Sequence, residues 1–89
     1  MVHIIKRKGH RQEYDQRKVY GSVYAACLNA HLHDQKAEEI ASRVSKEVSN
    51  WVKDQQEASS YQIFVRVGRL MEEENKEAAF MYLTHRDIS

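Results

Sequence analysis

Between Asp34 and Val52 the apolar residues Ala37, Ile40, Ala41, Val44, Val48, Trp51 and Val52 recur at helical spacing, with polar and charged residues between them. That period describes an amphipathic helix with Asp34 as its N-cap. No other feature constrains the chain as much. A helix of this length carries a continuous apolar stripe, and most of its stability has to come from other elements that cover the stripe.

The covering elements are readable on either side. Asp15 is a second N-cap, followed at the same spacing by Val19, Tyr20, Val23, Tyr24, Cys27 and Leu28, which predicts a first helix and then a loop from Asn29 to His33. A third helix is predicted from Ser59 or Ser60, facing inward through Ile63, Val67, Leu70 and Met71. The β-branched run from Ile63 to Val67 favours a strand locally, but the length of the segment favours a helix. A fourth begins near Asn75, carries Ala79, Phe80, Tyr82 and Leu83, and ends about Arg86.

Ahead of these, residues 2–14 read as a hairpin. A β-favouring run from Val2 to Ile5 meets a polar turn at Lys8 and Gly9, where glycine supplies a positive φ, and the chain returns from Arg11 to Tyr14. An isolated hairpin is barely stable in water, so this one is expected to lie on the helices. The resulting fold class is mostly α (α+β), a four-helix bundle capped by a short N-terminal β-hairpin.

An 89-residue chain has room for one core, and with no proline, three glycines and no low-complexity tract it shows no linker; residues 1–89 read as a single domain. The 14 basic and 13 acidic residues nearly cancel, so no whole-molecule field of the kind that gathers nucleic acid is present. Positive charge is nevertheless concentrated early, in KRKGHR at positions 6 to 11 and in Arg17 and Lys18, while Glu72, Glu73 and Glu74 form an acidic run. The single cysteine, Cys27, fits the apolar stripe of the first helix and reads as core.

No run approaches the roughly 20 apolar residues of a membrane span, and His3, Lys6 and Arg7 interrupt the only apolar stretch near the start, so a cytoplasmic protein is expected. The histidines have no ligand-like spacing with the cysteine, and no metal site is expected. Catalytic motifs are also missing: there is no P-loop, no nucleophile elbow and no carboxylate pair distinct from the Glu72–Glu74 run, so the chain does not read as an enzyme.

The stretch IIKRKGHRQEYDQRKV at positions 4 to 19 resembles the opening of the ATP-cone domain, the adenine-nucleotide-binding regulatory module of ribonucleotide reductases and of their transcriptional repressor. The matching residues are Ile4, Ile5, Lys6, Arg7, Gly9, Tyr14, Asp15 and Lys18, and AAFMYLTHRD at positions 78 to 87 is similar to the ends of such cones in anaerobic reductases. The resemblance covers nearly the whole chain.

It implies that ATP or dATP sits between the hairpin and the helices, with magnesium as the ion that can accompany the triphosphate. Lys6, Arg7 and Lys18 suit phosphate, since charge-assisted hydrogen bonds from ammonium and guanidinium groups are stronger than neutral ones. Lys18 also lies in the first helical turn, whose N–H groups attract anions. By the same resemblance Ile4 lies near the nucleotide, Gln12 takes the base-recognising position, Ser60 is a polar contact, Phe64 packs near the base and Arg86 reaches a phosphate. Gln12 departs from the glutamate of many cones; an amide both donates and accepts, where a carboxylate only accepts.

Each residue has a plainer reading. KRKGHR can be a solvated turn, Lys18 an exposed first-turn residue, Ser59 and Ser60 helix caps, and Trp51 either core or the anchor of a partner. The function expected is a stand-alone ATP- or dATP-binding regulatory module acting through nucleotide-dependent conformation or oligomerisation, with a homo-oligomer, a ribonucleotide reductase or a transcriptional regulator as partner. The alternative is a helical protein- or nucleic-acid-interaction module built on a degenerate, non-binding cone.

Overall fold

The computed structural model describes residues 3–5 and 11–84. Four helices dominate it: α1 (Gln16–Asn29), α2 (Asp34–Lys53), α3 (Ser60–Glu74) and α4 (Lys76–Thr84). The mostly helical class read from the sequence is borne out. Three short strands accompany the helices: β1 (His3–Ile5), β2 (Arg11–Glu13) and β3 (Glu57–Ser59).

The helix starts follow local chemistry. Asp15 caps α1 by accepting the Arg17 N–H at 2.9 Å. Ser59 caps α3 within a complete capping box, its Oγ accepting from the Gln62 N–H while the Gln62 side chain accepts from the Ser59 N–H. Asn75 accepts the Ala78 N–H at the start of α4.

Two boundaries differ by one residue from the sequence reading. His33, not Asp34, occupies the cap position of α2 and makes no side-chain cap bond, while Asp34 becomes the first helical residue, where its charge still favours the helix dipole. Asn29, read as loop, closes α1. That helix then ends in a Schellman arrangement: the His31 N–H bonds to the Leu28 carbonyl and the Leu32 N–H to the Cys27 carbonyl. His31 holds the left-handed conformation (φ 65°) that glycine usually supplies there.

α2 packs on α1 and α3, and α4 packs on α1 and α3. The core sits between them, with Val23, Cys27, Ile40, Val44, Val48, Val52, Val67 and Met71 essentially removed from water. The predicted stripe of α2 is buried throughout except Trp51, which is half-buried. The first helix is less faithful to its pattern: Ala26 is buried instead of Leu28, which is 37% exposed. On α4, Ala78 and Ala79 turn inward and Phe80 outward, because so short a helix presents only one narrow face to its neighbours. α3 and α4 approach closely at Gly68, where an added Cβ would lie 2.7 Å from Leu83 Cδ2.

The sheet has the order β2-β1-β3, with β1 antiparallel to β2 and parallel to β3. β3 was not foreseen; residues 57–59 look like nothing more than the approach to α3. The turn expected around Lys8 and Gly9, the hairpin's first residue Val2 and the helix end at Arg86 lie outside the described residues.

Candidate nucleotide site

β1 organises the region. Ile4 has Gln12 of β2 on one side and Ala58 of β3 on the other, and one residue further Ile5 lies between Arg11 and Ser59. β3 runs without a break into α3, so Ser60 opens that helix one residue beyond the strand partner of Ile5. Three residues singled out in the sequence, Ile4, Gln12 and Ser60, are thereby gathered around one short strand although 56 positions of sequence separate the first from the last.

The duties of the two serines separate. Ser59 performs the capping, which leaves the half-buried Ser60 hydroxyl without a capping role. One helical turn on, Phe64 is half-buried and stacks on Tyr82 of α4 with ring centroids 5.2 Å apart and planes 26° from parallel. Tyr82 was not among the predicted contacts. Eighteen positions separate the rings in sequence, and only the α3–α4 packing brings them together.

Lys18 is exposed in the first turn of α1. The helix end beside it is occupied, however. Asp15 takes the Arg17 N–H through its carboxylate and the Lys18 N–H through its backbone carbonyl. The Asp15 carboxylate already supplies the negative charge a helix N-terminus attracts, and hydrogen bonds from the Arg17 side chain and N–H hold it below its ordinary value. Any role of Lys18 toward an anion therefore rests on its own ammonium group.

Tyr14, at the junction of β2 and α1, ties this end of the molecule to α2. Its hydroxyl lies 2.8 Å from Oγ of the buried Ser49. Burial pushes the phenol's pKa up, opposed by the Ser49 hydrogen bond and reinforced by the neighbouring Asp15 charge. Cys27 is buried in the core, with its thiol pushed up by burial first and the Glu74 charge second.

The basic residues Lys6 and Arg7, and Arg86, lie outside the described residues. Among the described residues, no helix is long and apolar enough to cross a membrane. The model of the ATP cone domain matches residues 2–89, essentially the full sequence. No curated protein matches the chain.

Proposed function

This chain belongs to the ATP cone domain family, whose members are regulatory nucleotide-binding modules, and from that membership we propose that it binds ATP or dATP between the β-strands and the starts of α1 and α3. The observation that carries the reading is the β1 register. It sets Gln12 opposite Ile4 and the start of α3 beside Ile5, immediately before Lys6 and Arg7 in sequence.

In this reading β1 and β2 form a hairpin turning at Lys8 and Gly9, the cap of a four-helix bundle. Lys6, Arg7 and Lys18 hold the triphosphate, with Arg86 reaching it from beyond α4. The Gln12 amide and the Ile4 side chain meet the base, the Ser60 hydroxyl supplies a further polar contact, and Phe64, braced by Tyr82, packs beside the base. Magnesium accompanies the phosphates. The chain acts as a regulator: nucleotide selects among conformations or assemblies, and a partner such as a ribonucleotide reductase or a transcriptional regulator reads the result.

Isothermal titration with ATP, dATP and GTP tests this. Adenine-selective binding is expected, and Lys6→Ala and Arg7→Ala should each weaken it by about 1–3 kcal/mol, the range for losing a hydrogen bond to a charged group. Unchanged affinity in folded variants would remove these residues from the site.

A further inference from the structure

On the side of α3 away from the core, opposite charges are sorted along the helix. Arg66 and Arg69 stand in one stretch, and Glu72 and Glu73 follow, all four exposed. None forms an ion pair with another described residue. Arg69 and Glu73 are four positions apart, a spacing that can pair within a helix, but arginine placed N-terminal to glutamate is the less favourable order, and they do not pair. By contrast Glu74, on the flank toward α2, is engaged by Arg43 through two 2.8 Å bonds.

The basic half of this face borders a shallow groove between α2 and α3. Trp51 and Tyr61 line it together with Arg66 and Arg69. Tyr61 is 60% exposed. The Arg66 guanidinium carbon lies 4.7 Å from the centroid of the Trp51 ring, a cation–π contact that restrains the side chain and leaves its N–H groups able to meet a carboxylate. Tryptophan, tyrosine and arginine are the residues that most often dominate protein–protein contacts.

We propose that this face is a two-fold self-association surface, on which a second copy of the chain packs its α3 antiparallel to the first. With the axis near the level of Leu70, Arg66 of each copy comes within side-chain reach of Glu73 of the other and Arg69 within reach of Glu72. The same patch serves both copies, as a two-fold contact requires, and its charges complement themselves only in the antiparallel sense. A nucleic-acid strand fits the face less well, since two arginines followed by two glutamates make no continuous basic track. The inference rests only on the assembly half of the proposed function and needs no nucleotide contact.

Two variants test it: Arg66→Glu with Arg69→Glu, and Glu72→Arg with Glu73→Arg. All four positions are exposed, and circular dichroism confirms that each variant folds. Light scattering over a concentration series, with and without ATP, should show the parent chain self-associating and each variant alone weakened by about tenfold or more, as like charges now face each other. Mixing the two variants, one face wholly acidic and the other wholly basic, should restore a dimer. Trp51, the chain's one tryptophan, gives a second readout: its emission should shift to the blue on pairing. A parent chain monomeric throughout, or variants that associate as the parent does, would overturn the surface. Nucleotide affinity, titrated on the same samples, reports separately on the nucleotide site.

Discussion

Replacing Tyr14 by phenylalanine removes one oxygen and leaves the ring. The lost contact is the 2.8 Å bond between the Tyr14 hydroxyl and Ser49 Oγ, part-buried, joining the β2–α1 junction to α2. A neutral hydrogen bond of this kind contributes about 0.5–1.5 kcal/mol net. Stranding the buried Ser49 hydroxyl would add to the cost, but a helical serine can turn to the carbonyl four residues back, which limits the penalty. The expected loss is therefore about 1 kcal/mol, a fall of about 4–8 °C in Tm for a domain of this size. Thermal and urea unfolding of the parent, Tyr14→Phe, Ser49→Ala and the double variant give the coupling directly, expected at about 0.5–1.5 kcal/mol.

The same cycle has a pH signature. The folded pKa of Tyr14 lies above its ordinary value of 10.0. Its contribution is thus fully present below that pH and is lost as pH rises through the folded value. Tyr14→Phe should make the alkaline decline shallower without abolishing it, because burial raises Tyr24 as well. Coupling indistinguishable from zero would refute the view that this bond ties the site's end of the molecule to α2, while an unchanged alkaline limb would refute the burial of the phenol.

Ser59→Ala should cost about 1 kcal/mol of stability through loss of the cap, whereas Ser60→Ala should leave unfolding unchanged and act only on nucleotide affinity; chemical denaturation beside titration separates them. Arg43→Ala should lower stability only slightly at neutral pH, because an ion pair this exposed to water contributes little. Glu74 is held below its ordinary 4.5 chiefly by the Arg43 hydrogen bond, so that stability is present above this value and is lost as pH falls through the lower folded one; the variant's acid limb should be flatter in pH-dependent unfolding. Cys27 should resist an aromatic disulfide reagent in the native state and react at once in denaturant, since it is fully buried and its thiol is pushed up.

Legibility in the sequence followed the range of the forces involved. The α2 stripe and the caps at Asp15 and Ser59 are written in residues a few positions apart, and those signals survive folding unchanged. β3 could not be read: Glu57, Ala58 and Ser59 alternate over only three positions and include no β-branched side chain, and they are a strand only because β1 pairs with them. His33 displaced Asp34 as the cap because backbone geometry, not the better capping side chain, set the boundary. Around the site, Gln12 opposite Ile4 follows from the hairpin already drawn, whereas the Phe64–Tyr82 stack depends on helix packing that no local pattern encodes.

The parallel pairing of β1 with β3 also bears on the order in which the molecule comes together. A growing chain makes β1 first, but the neighbour on its far side is synthesised only after α1 and α2. α1 and α2, whose contacts are close in sequence, can collapse early, while closing β1 onto β3 requires a long loop to lose its freedom. The sheet is then the last part to form and the first to open. A molecule bound against it would act as a clasp, slowing release of the N-terminal strand and protecting the amides of residues 3–5 from hydrogen exchange more than those of the core helices.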